Sequence, residues 1–148
     1  MSKIRTVKNQ IKIEMEKFIT SGDILSVEFQ DFGKLPWDID APGYPVSIIA
    51  SPNMVSEQLT NASMLRTYDF PVYLIFDADS VKEDIAGVEE LLEKLMDHFD
   101  ENTTMSQSFN GFVRPVTQGA MPIEGNANRV MASINLKISV ETEVMQCS

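Results

Sequence analysis

Residues 130–141 read VMASINLKISVE, and their alternation decides the fold. Val130, Ala132, Ile134, Leu136, Ile138 and Val140 share one parity; Met131, Ser133, Asn135, Lys137, Ser139 and Glu141 share the other. Successive side chains of a strand point to opposite faces, so the pattern predicts a long strand with one apolar and one mostly polar face. A polar second face belongs to an antiparallel sheet sooner than to a parallel one, which is buried on both sides. Such a strand needs partners along both edges and a cover over its apolar face.

Upstream, residues 65–76 supply a second long strand, with Tyr68, Phe70, Val72, Leu74 and Phe76 on one side. Pro71 predicts an irregular or less-paired early portion, because proline brings no donor to a ladder. After it, VYLIF is apolar on both faces. That pattern fits either a central strand or one whose second face a neighbouring subunit covers. Shorter strands are predicted at 24–32, where Leu25, Val27 and Phe29 alternate with Ser26, Glu28 and Gln30, and at 44–50 (YPVSIIA). Pro45 near the start of the latter fits a strand beginning or an edge. A further short strand is predicted at 109–116 (FNGFVRPV), with Gly111 and Pro115 as irregularities.

Two helices are legible as covers. Ile4, Val7, Ile11, Met15 and Phe18 recur at three-four spacing, an apolar stripe on a helix over roughly residues 3–21, with Gly22 as its stop. The second helix spans 80–100, where Val81, Ile85, Val88, Leu92, Leu95 and Phe99 form a stripe widened by Leu91 and Met96. Its opposite face carries Glu89, Glu90, Glu93 and Asp97. Ser80 and Glu83 have the spacing of a capping box, and Gly87 is read as a close approach to a strand. The expected fold is therefore α+β in two layers, a mostly antiparallel sheet covered on one face by two main helices.

Between these elements the sequence predicts long loops at about 33–43, 53–63 and 117–129, with residues 143–148 trailing off. The first, GKLPWDIDAPG, is dense in Gly, Pro and Asp and holds the only tryptophan, Trp37. Two roles fit Trp37: a plug at one end of the core, or a contact across a subunit boundary, where large aromatics are enriched. Asp38 and Asp40 lack the remaining ligands of a calcium loop and read as solvated acids. The 117–129 loop exceeds the usual four to six residues, and a loop that long reads as mobile or functional, such as one reaching a neighbour.

At 148 residues the chain is expected to be a single domain with a core that needs no staples. Its one cysteine, Cys147, has no internal partner, which favours a reducing, intracellular setting. The opening MSKIRTVKNQIKI lacks the apolar core of a signal peptide, and no run is long enough to span a membrane. The net charge is -10, unevenly placed. Lys3, Arg5, Lys8, Lys12 and Lys17 make the first 22 residues net basic against Glu14 and Glu16, and nearly all the acid follows. Tight nucleic-acid binding wants a basic surface, so this balance argues against it without excluding DNA that merely passes by.

Chemistry is sparse. His98, the only histidine, has no metal-spaced partners and reads as a half-exposed helical residue. No phosphate-binding loop, dinucleotide glycine pattern, zinc-protease helix or nucleophile elbow occurs. The chain is expected to be no enzyme and to need neither cofactor nor metal. It reads as a protein that assembles.

The order of elements carries a resemblance. An N-terminal amphipathic helix and a strand lead into WDIDAPGYPVSII. A variable loop, an aromatic strand, a helix after Asp-Ala-Asp and the terminal alternating strand follow. This layout resembles the tail terminator, or tail-completion, proteins of long-tailed bacteriophages, with Tyr44-Pro45 at the entry to the second strand. The resemblance is one of pattern over most of the chain. It implies a homohexameric ring that caps the tail tube, ends its polymerisation and joins the head connector or neck protein, with DNA passing through the central hole. The expected location is the neck-proximal end of the virion tail, with assembly in the host cytoplasm. Interface candidates from the residues themselves are Trp37, Asp38 and Asp40, and Arg114 and Arg129, the arginines each facing an acidic neighbouring subunit. A neck or head-closure ring protein of the same virion is the nearest alternative. A non-phage α+β adaptor domain is a more distant one.

Overall fold

The computed structural model describes residues 3–31, 33–38, 43–58, 63–102, 112–123 and 126–143. In chain order its elements are α1 (Lys3–Thr20), β1 (Ser26–Phe29), β2 (Val46–Ile49), β3 (Asn53–Gln58), β4 (Ser63–Asp77), α2 (Ala78–Glu83), α3 (Ile85–Glu101), β5 (Phe112–Ile123) and β6 (Asn126–Glu143). They form a mixed, mostly antiparallel six-stranded sheet with helices packed on it, an α+β fold. The strand order is β1-β2-β4-β6-β5, with β3 pairing β4 beyond the end of β2. Only β1 and β2 run parallel.

The alternation of β6 sets the layers. Ala132, Ile134, Leu136, Ile138 and Val140 are buried toward the helices, opposite Leu74, Val72, Phe70, Tyr68 and Arg66 of β4. Val7, Ile11, Met15 and Phe18 of α1 and Val88, Leu91, Leu92, Leu95 and Phe99 of α3 close that face. Burial of each large side chain stabilises by about 1.5–3 kcal/mol, so the two apolar stripes are what hold the helices down. Helix α1 lies over β1 and β2, and α3 lies mainly over β5. At the end of α1, Gly22 at φ 87° donates to the Ile19 carbonyl and Asp23 to that of Phe18. This is a Schellman ending, and its left-handed residue is why glycine stops the helix there.

Several expectations need correction. Residues 53–58 are not loop but β3, in register from Asn53 opposite Asp69 to Gln58 opposite Met64. All six of its residues are exposed, so nothing demanded the apolar alternation by which a strand is recognised. The 117–129 stretch is likewise a hairpin arm: β5 runs to Ile123 and β6 begins at Asn126. Gly119 and Pro122 sit at register shifts, one between Gln118 and Met121 and one between Pro122 and Ile123, which a sheet edge tolerates. Within 33–43, residues 33–38 are loop as expected, and 39–42 lie outside the described residues.

Pro71 does not loosen the start of β4, which is paired from Ser63 onward. On one edge β4 changes partner here, from β3 at Asp69 to β2 at Val72, and the Pro71 carbonyl accepts from the Ala50 N–H at 3.0 Å. A residue's N–H and C=O share one edge of a strand, so the donor proline lacks falls in the gap between β2 and β3. Leu25 is 54% exposed because it precedes β1 and lies over Gly43.

The predicted helix over 80–100 divides at Asp84. Ser80 lies inside α2, past the position of a cap, whereas Asp84 Oδ1 accepts from the Gly87 N–H at 2.9 Å and caps α3. Ile85, just past the break, is exposed rather than part of the stripe. A Cβ at Gly87 would stand 2.5 Å from Asp84 Oδ2. The glycine makes room for the cap, not for a strand.

Candidate assembly surface

The second face of the sheet is covered only in part. Val46, Ile48 and Ile75 are buried there, with Trp37, Tyr44, Tyr73 and Met131 packed against them. This small second core explains why VYLIF is apolar on both faces: β4 is central, and the chain's own loop covers part of its outer side. Arg129 ties the loop down, donating from Nη1 to the Trp37 carbonyl while its guanidinium stands 5.1 Å from the Tyr44 ring centroid. Arg129 and Trp37, picked as interface candidates, are thus brought together within one chain, and Asp38 is exposed beside them. Asp40 lies outside the described residues. Replacing Arg129 with alanine is expected to cost about 1 kcal/mol through loss of a hydrogen bond and a cation–π contact. It should also shift the Trp37 emission to the red as the loop lifts. Emission identical to wild type would contradict the tie.

Arg114 stands elsewhere. It is exposed on β5 and directly opposite Lys137 of β6, which in turn faces Asp69 of β4. Lys137 and Arg129 are eight residues apart on β6, roughly 26 Å along the strand, so the two arginines do not form one site. Like charges opposed across a ladder are destabilising, and Arg114 beside Lys137 is a position where an outside carboxylate is favoured.

The structure also holds a polar cluster that spacing in the sequence did not reveal. Glu14 is fully buried between α1 and α3. Its carboxylate accepts from Lys17 Nζ at 2.6 Å, His98 Nε2 at 2.9 Å and Asn102 Nδ2 at 2.8 Å. Burial opposes its ionisation, but hydrogen bonds and charge from Lys17 and His98 outweigh that and hold its pKa below the ordinary carboxylate range. His98 is 23% exposed, set edge-on to Phe18 and Phe99, and so is a partner in this cluster rather than a half-exposed helical residue. The signal was present in part: Glu14 occupies the apolar side of α1 between Ile11 and Phe18, where a carboxylate needs donors. That the donors come from 84 residues away is a tertiary fact.

A cleft of about 400 Å³ opens between the end of α1 and the α2–α3 junction, lined by Asp23, Pro45, Phe76, Glu83, Asp84 and Leu91 among others. Among the described residues no three His, Cys, Asp or Glu side chains are grouped to hold a metal ion. Cys147 is outside them. No described helix is long and apolar enough to cross a membrane.

Two surfaces remain open for contact with other molecules. One is the outer sheet face beyond the Trp37 loop, where Val116 is 49% exposed. The other is the β3 end of the sheet, where Met54 and Val55 are 54% and 60% exposed. No protein-family model matches the chain, and no curated protein matches its sequence.

Proposed function

We propose that this chain is a structural subunit of the tail-terminator type. In this reading copies of it form a ring that caps a phage tail tube, ends its polymerisation and presents the joining surface for the head connector, with DNA passing through the hole. The observation that carries the assembly reading is β3. A strand with all six residues exposed adds little to its own chain's core, yet it fixes a projecting sheet end bearing apolar Met54 and Val55. A projecting arm of this kind suits contact with another molecule. The element order described above supports the terminator identity, and the net charge of -10 suits a channel wall that DNA slides past.

The test is tube capping. Purified chain is added to polymerising tail tube protein encoded by the same genome, and tube length and ends are imaged by electron microscopy. The reading expects growth to stop and a terminal ring of extra density to appear. Tubes that keep growing while the chain stays in the supernatant would overturn it. Binding to the head connector but not to the tube would favour a neck or head-closure ring instead.

A further inference from the structure

The two lateral ends of this molecule carry opposite charge, each beside a sheet edge that pairs on one side only. At one end lies β1, which pairs only with β2, and at the other β5, which pairs only with β6. Each edge has a helix above it: α1 over β1 and α3 over β5. The sides of these helices that face each other are identified by Glu14–His98, Glu14–Asn102 and Asp23–Lys94. Helical geometry at about 100° per residue then fixes what lies on the far sides.

On α1 the far side holds Arg5, Lys8 and Lys12, with Glu16 further round. Lys8 and Lys12 place their ammonium groups 5.1 and 5.2 Å from the ring centroid of Phe29 on β1, so both lie over the β1 edge. On α3 the far side holds Glu89, Glu93 and Asp100, all exposed, above the β5 edge. The outer face of the sheet repeats the complementarity with signs reversed. Glu28 is exposed on the β1 edge and Arg114 is exposed on the β5 edge.

We infer that a second copy of this chain is the occupant of both ends, in a head-to-tail contact. The β1–α1 end of one copy meets the β5–α3 end of the next. Lys8 and Lys12 then oppose Glu89 and Glu93 on the helical side, while Glu28 opposes Arg114 on the outer side. Strand directions are compatible: β1 runs with β2, and the alternation through β4 and β6 leaves β5 antiparallel to β1. Pro115 and Pro122 interrupt β5, so side-chain flanks carry the contact rather than a continuous ladder. A contact between two different surfaces of one chain propagates, and closes into a ring when the rotation per subunit divides the circle. The inference rests on the ring reading only in that copies must meet, and it requires no tail tube.

The experiment is a charge exchange read by light scattering at low salt across protein concentration. E89K/E93K reduces the net negative charge and so relieves general repulsion, yet it is expected to weaken assembly about 10- to 100-fold. K8E/K12E is expected to do the same. An equimolar mixture of the two variants should assemble again, because each altered end then meets a complementary one. Circular dichroism and thermal unfolding establish that the variants are folded, and E89K/E93K changes only exposed positions. Wild-type mass in both variants, or variants that stay apart when mixed, overturns the contact while leaving the ring reading standing. A native chain that stays monomeric at every concentration also overturns it, and tube capping then decides the ring reading separately.

Discussion

Replacing Phe99 with alanine is expected to cost about 3–5 kcal/mol of folding stability, the largest loss at any single position considered. Phe99 is fully buried near the end of α3, its ring set edge-on to His98 at 5.1 Å between centroids. It belongs to the stripe that joins α3 to the sheet, so truncation both returns apolar surface to water and leaves a void beneath the helix. Domains of this size are typically stable by only about 5–15 kcal/mol, so the change removes a large share of what holds the fold. Urea unfolding should show a lower midpoint with little change in slope. A loss below about 1 kcal/mol would mean that α3 is not anchored where the structure places it.

Glu14→Gln is the second large effect, and it depends on pH. The buried carboxylate is surrounded by donors from Lys17, His98 and Asn102. An amide offers one acceptor oxygen and brings two hydrogens of its own toward them. A loss of about 2 kcal/mol at neutral pH is expected, less than for a pair with no access to water because Lys17 and His98 regain hydration. The folded pKa of Glu14 lies below its ordinary value of 4.5, so the unfolded chain takes up the proton first as pH falls. Stability from the ionised form is therefore fully present above about that value and is lost as pH drops through the folded pKa. The gap between wild type and Glu14→Gln should be constant from about pH 6 to 7 and shrink below 4.5. A gap that persists unchanged at about pH 3 would show that charge on Glu14 contributes nothing.

The parts of the fold that were legible in the sequence are those where burial imposes a period. No such period exists at β3: Asn53 to Gln58 are exposed on both faces, so pairing with β4 alone makes them a strand. By contrast, β6 and β4 must bury every second residue, and both α1 and α3 carry stripes that match their cores. The division of the second helix turned on chemistry rather than period. Serine and aspartate are both suited to capping, and the choice of Asp84 over Ser80 follows from Gly87, which leaves the Asp84 carboxylate room. For the candidate surface, Trp37 and Arg129 were identifiable singly as a large aromatic and a cation in polar surroundings. Their meeting through the Trp37 carbonyl depends on a sheet that brings together residues 92 apart. The opposed flanks of α1 and α3 were visible as charge asymmetry, but which sheet edge each helix covers required the topology.

Assembly of copies into a ring is tested most directly by solution mass, measured by light scattering across concentration, with negative-stain images of any large species. A species of about six copies with an open centre is expected, as the resemblance to tail terminators implies, dissociating as salt is raised because exposed charges hold it. A chain that remains monomeric throughout and does not bind purified tail tube would contradict ring assembly.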